Sequence, residues 1–200
     1  ALSLLLFHPP VCEKFVVLKL VNFASFLFVI FAFELLLDQV IAWYAEDVEI
    51  KGLPLLKVGS ARLELWSYIV FILMSLSVGA VWKDTPDLLM SGFLYAATAL
   101  TLAFWRGQIS GFKPFLIGFS LAAGYLCKAV MFPLTFVYLF LLALSPQAKS
   151  AKLRAILSVV AAFTLLAGPY IVAISIKNQK PLFSTTMQYN YALWVLRNAP

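Results

Sequence analysis

The sequence predicts an all-α, polytopic membrane protein. Of its 200 residues, 63% are apolar and 12% charged, and the mean hydropathy is +0.95. Soluble domains carry about a quarter charged residues. The uncharged stretches are long and do not alternate, whereas membrane β-strands alternate lipid-facing apolar with lumen-facing polar positions. Backbone groups in hydrocarbon must be paired internally, which leaves a helical bundle. The net charge of +6 comes from basic residues scattered between apolar runs, without the clustered face that nucleic acid requires, so no nucleic-acid partner is expected.

A hydrocarbon core asks for about 20 apolar residues per helix, and about six segments are expected to cross it. The first is Phe15 to Val40, with Lys19 near one end and Glu34 and Asp38 near the other. The second runs from Leu65 to Trp82, between Glu64 and Lys83, and the third from Leu88 to Trp105, between Asp87 and Arg106. The fourth and fifth share Pro114 to Ala148, where Lys128 is the only charge. The sixth is Ala155 to Ile176; Gly168-Pro169 is a candidate kink that need not break it. In the fourth span Gly118, Ser120, Ala122, Ala123 and Gly124 permit close helix approach.

Basic residues in short connections set the orientation. The connections Ile41–Glu64, Arg106–Lys113 and Lys149–Arg154 carry most of them, and the alternating connections carry only Lys83 and Lys128. The former are expected to be cytoplasmic, with Trp66, Trp82 and Trp105 as interfacial anchors at span ends. Lys83–Asp87, the turn at Lys128 and the stretch Asn178–Pro200 then face the other side. The chain opens within the apolar run Leu2–Phe7 and ends at Ala199-Pro200, and is expected to be a segment of a longer protein.

Lys128 is the leading site candidate. A boundary lysine in an uncharged hairpin is costly, and a compact ammonium suits a phosphate; snorkelling to headgroups is the competing account. Asp84 and Asp87 surround Thr85-Pro86, where capping and the helix dipole explain an acid as well as a site does. On the same side as Lys128, either acid can hold the lysine or a sugar hydroxyl. Gln188, Asn190 and Tyr191 are candidates for hydroxyl binding, with interfacial packing as the alternative. Glu34 and Asp38 share one helix face; internal pairing or an interfacial helix end explains them, and a proton or cation path is the functional alternative. Glu46, Asp47 and Glu49 read as a solvated cytoplasmic loop, His8 as noncatalytic, and Cys12 and Cys127 as packing residues.

Three segments together resemble the glycosyltransferase family 39 and protein mannosyltransferase-like superfamily: Thr85-Pro-Asp-Leu-Leu-Met-Ser-Gly-Phe-Leu-Tyr95, Gly118 to Pro133 with Gly-Tyr-Leu-Cys-Lys-Ala at its centre, and Ala167-Gly-Pro-Tyr170 followed by Phe183–Tyr191. The likeness covers about Lys19 to Tyr191, and the order and spacing of the motifs carry it. It implies a GT-C-like membrane fold, with residues 1–200 a partial glycosyltransferase domain. The implied activity is transfer of a sugar from a polyprenyl-phosphate donor to a glycan, lipid or protein acceptor on the extracytoplasmic side of a bacterial plasma membrane. Lys128 matches the lysine of the family's Gly-x-x-x-Leu-Thr-Lys-like segment, with Cys127 in place of the common threonine, and Asp87 matches the acid that opens a span. The family's early catalytic acid would lie before Ala1, so this segment alone is expected to be inactive. Related systems can use a divalent metal, but no ligand cluster stands out here. The reading from a different class is a transporter or lipid-flippase fragment, motivated by Glu34, Asp38 and Lys128.

Overall fold

A computed structural model of the protein describes residues 11–51, 59–77, 86–108 and 111–184. Among the described residues there are helices and no strands: α1 (Val11–Lys51), α2 (Ser60–Ser77), α3 (Asp87–Trp105), α4 (Pro114–Cys127), α5 (Met131–Leu144) and α6 (Lys149–Lys177). Three of these are long and apolar enough to cross a membrane: Val16–Glu46 within α1, all of α3, and all of α6. Helices α4 and α5 have 14 residues each, or about 21 Å at the α-helical rise, short of a hydrocarbon core of about 30 Å.

Two expected loops are helical. The stretch Ile41–Lys51 continues α1, because the first residues hostile to a helix are Gly52 and Pro54. Likewise Lys149–Arg154 forms the opening turns of α6. Trp66, expected at a span end, lies within α2 and is exposed, since that helix starts at Ser60. Pro169 sits inside α6, which runs through Gly168-Pro169 unbroken.

Helix α3 is the spine: α1 packs along one side of it and α4 along another, while α6 covers α4, and α5 touches α3, α4 and α6. Ring contacts fix the α1–α3 register. Phe28 lies 4.9 Å from Phe93, Phe33 5.8 Å from Tyr95 and Trp43 5.9 Å from Trp105 between centroids, so the two helices run in the same direction. The main core joins Phe104, Ile117, Leu121, Tyr125, Met131, Tyr138, Leu142 and Val159, and a smaller one joins Val29, Phe71 and Leu88. Leu165, Ile176 and Phe140 point outward at 70%, 73% and 62% exposure, as lipid-facing positions do.

Between lipid-facing helices, close packing replaces the hydrophobic drive. The closest approach is at Gly118, where a Cβ would lie 2.3 Å from the Val159 carbonyl oxygen and 2.8 Å from its Cα. Ala122, Ala155 and Ala162 are buried along the same α4–α6 seam. Gly124 meets the Met131 side chain across the α4–α5 turn, so both glycines of the expected small-residue set sit at tight contacts.

The helix ends decide where the chain goes next. At the end of α3, Gly107 takes a φ of +71°; its N–H donates to Phe104 and that of Gln108 to Ala103, which is a Schellman closure. The end of α6 repeats this pairing, Gln179 to Ile176 and Lys180 to Ser175, with Gln179 at a φ of +53°. The Ser175 hydroxyl then exchanges hydrogen bonds with the N–H and carbonyl of Leu182. The chain after α6 is thereby turned back onto the bundle.

Candidate functional site

The bundle has two polar ends, set by the direction of α3. One carries Asp87, the α4–α5 turn and the end of α6; the other carries Arg106, the end of α1 and the α5–α6 connection.

At the first end, Asp87 opens α3 directly after Pro86, and no side chain of Pro86 caps it. Asp87 is therefore the first-turn acid that favours the positive helix end. Lys128 terminates α4: its N–H donates to Gly124, its backbone is extended at φ −152°, and Ala129-Val130 lead into α5. The Lys128 Nζ donates to Asp87 Oδ1 in an ion pair across the bundle end. Both side chains stay open, at 47% and 42% exposure. An ammonium has three N–H donors, and this pair uses one, so the others can meet an anion.

An aromatic cluster is centred on Tyr125, three residues before Lys128. Tyr125, one helical turn before Lys128, donates its hydroxyl to the Phe183 carbonyl. The Phe183 ring stacks on Phe132 at 4.5 Å and 23°, and Tyr125 contacts Phe132, Phe163 and Tyr170. The turned-back chain after α6 is thus pinned over the α4–α5 turn. Tyr125 and Phe183 were missed as partners in the sequence; the available signal was the position of Tyr125 three residues before Lys128.

At the opposite end, Arg106 follows Trp105 and forms a two-pronged ion pair with Glu46 of α1, its Nε 3.2 Å from Oε2. Its Nη1 donates to Gln39 Oε1 at 3.1 Å. The hydrogen bonds it donates to Glu46 push the guanidinium pKa further up. Gln147 donates to the Trp105 carbonyl and Trp105 Nε1 to the Leu141 carbonyl, both at 3.0 Å. These contacts tie α1, α3, α5 and the α5–α6 connection together, and Glu46 is a helix partner here, not part of a free loop.

Of the sequence-predicted site residues, the structure brings Lys128 and Asp87 together. Asp84, Gln188, Asn190 and Tyr191 lie outside the described residues. Glu34 and Asp38 are exposed on α1 and remote from the Lys128 pair, on the stretch level with the middle of α3. Among the described residues, no group of three or more His, Cys, Asp or Glu side chains is placed to hold a metal. Comparison with protein-family models, curated proteins and solved structures finds no match for the chain.

Proposed function

We propose that this chain is the membrane-embedded part of a glycosyltransferase that moves a sugar from a polyprenyl-phosphate donor to an acceptor on the extracytoplasmic side. The bundle would be GT-C-like with about six spans, α4 and α5 crossing with help from snorkelling ends and local bilayer thinning. The observation that supports this reading is the open Lys128–Asp87 pair at the end of two apolar helices. An ammonium with unused donors, held by a carboxylate at a membrane boundary, suits a phosphate carried on a lipid.

In the proposed reaction the bond between the anomeric carbon and the donor phosphate oxygen breaks, and a bond from that carbon to the acceptor oxygen forms. The acceptor proton goes to a general base other than Asp87, whose carboxylate is engaged by Lys128. Negative charge gathers on the departing phosphate, and Lys128 is placed to neutralise it as it develops. Asp87 is a positioning residue that aims the ammonium. No nucleotide site is needed, because the lipid phosphate is already a leaving group.

Initial transfer rates in the full-length protein test this. Lys128→Ala should weaken donor-phosphate binding and lower kcat/KM by about 10²-fold, the usual scale for removing one electrostatic stabiliser, with an unchanged thermal transition. A folded Lys128→Ala protein with wild-type transfer kinetics contradicts the assignment and leaves snorkelling.

One observation favours a second reading, a transporter or lipid flippase. Glu34 follows Phe33, which packs against Tyr95 at the middle of α3, and charges at mid-membrane mark ion or substrate paths. Loss of ion-coupled flux in Glu34→Gln vesicles, with sugar transfer absent from the wild type, would favour it.

A further inference from the structure

We propose that the outer face of α1 is a docking surface for a transmembrane helix of a separate subunit, one that carries an arginine or lysine at the depth of Glu34 and Asp38. The face is a single stripe. Leu20, Phe23, Leu27, Phe31, Glu34 and Asp38 follow one another at steps of three and four residues, the spacing of a helix–helix seam. All six are exposed, the four apolar ones by more than half. Val29 and Ala32, on the opposite side of α1, are buried where the helix packs along α3.

Lipid accounts for the apolar part of this stripe and not for its carboxylates. Trp43 packs against Trp105 at the end of α3, and Glu34 lies nine residues earlier in α1, about 13 Å of helix deeper. Nor is this a helix end, since α1 continues to Lys51. Among the described residues neither Glu34 nor Asp38 has a hydrogen-bond or ion-pair partner. An acid is costly at that depth in hydrocarbon, and such groups face a protein interior or pair with an opposite charge. Lipid ammonium groups stay at the headgroups, outside the hydrocarbon core.

A second helix adds to the same charge. Tyr68 of α2 stands edge-on to Phe33, 5.6 Å between centroids, and lies in the field of Glu34, Asp38 and Glu64. Acids from α1 and α2 thus surround one spot, yet among the described residues no three of them are placed to hold a metal ion. A guanidinium or ammonium on a long, flexible stem suits carboxylates spread in this way. A second copy of the chain does not supply it: α3, α4 and α5 contain no cation, and those of α1, α2 and α6 lie towards the helix ends. The complementary occupant is a different helix with a cation near its midpoint. This surface does not involve Lys128 and does not depend on the proposed transfer reaction.

The test uses full-length protein in phosphatidylcholine vesicles, with a donor dye at Ala45→Cys, two turns beyond Asp38 on the same face, and its other cysteines changed to serine. Acceptor-labelled peptides of about 20 leucine and alanine residues carry arginine at the centre, arginine at one end, or no charge. The arginine-centred peptide should reach half-maximal energy transfer at an about tenfold lower peptide-to-lipid ratio than the uncharged one, the scale of a polar contact between membrane helices. The end-arginine peptide should match the uncharged one. Glu34→Gln together with Asp38→Asn should erase the preference with an unchanged thermal transition, and either substitution alone should lower it part-way. Equal transfer to the arginine-centred and uncharged peptides overturns the proposal, as does a preference that survives the double substitution. Absence of transfer to any peptide also overturns it, since another part of the protein then covers the face. Transfer between donor- and acceptor-labelled copies that is lost in the double variant assigns the face to self-association and overturns it as well.

Discussion

The two ends of this bundle each carry an ion pair between α3 and another helix, yet they are built on opposite terms. Arg106 is 14% exposed, grips Glu46 with two nitrogens and gives a third to Gln39. Lys128 is 47% exposed and spends one hydrogen bond on Asp87. The same pairing of cation and carboxylate is a clamp in one place and an open hand in the other. What separates them is access, 14% exposure at Arg106 against 47% at Lys128, not the presence of charge.

The largest effect is expected at Gly118, where α4 meets α6 most closely. Gly118→Leu should leave little folded protein on size exclusion in detergent, since even a Cβ would meet the Val159 backbone. The milder Gly118→Ala should cost about 1–3 kcal/mol, as overpacking does, read from thermal unfolding. Smaller in effect, Arg106→Ala should lower the thermal transition clearly, because Glu46 and Gln39 both lose their partner; a transition equal to wild type would show that the clamp holds nothing. Tyr138→Phe removes its hydrogen bond to Thr98 but leaves Thr98 on the Leu94 carbonyl. The cost should be about 0.6 kcal/mol, the average for an interhelical hydrogen bond in a membrane. The smallest change is a gain: Gln179→Gly relieves a left-handed backbone at the end of α6 and should stabilise by up to about 1 kcal/mol.

The helical architecture was legible because hydrophobic run length is a one-dimensional property. Long apolar stretches marked α1, α3 and α6, and the isolated charge at Lys128 marked a helix end. Helix limits were less legible where a helix leaves the apolar region. Charged residues such as Glu46 and Lys149 read as loop, although nothing at those positions stops a helix. The approach of Lys128 to Asp87 was expected from alternating span direction, since that alone assigns both to one end. Pairings across the bundle were not legible: Arg106 with Glu46 is separated by 60 positions, and Tyr125 with Phe183 by 58. No periodicity links such residues; only the packing angles of α1, α3, α4 and α6 do.

The distinction between the two ends is tested most directly by measuring polyprenyl-phosphate binding and the thermal transition together in full-length Lys128→Ala and Arg106→Ala. The stability change at Lys128 should be small, since exposed ion pairs contribute about 0.2–1 kcal/mol. The account predicts that Lys128→Ala loses lipid-phosphate binding and keeps its transition, whereas Arg106→Ala keeps binding and loses stability. If Lys128→Ala binds the lipid phosphate as the wild type does, or if its transition falls as far as that of Arg106→Ala, Lys128 is a structural residue and the phosphate assignment is contradicted.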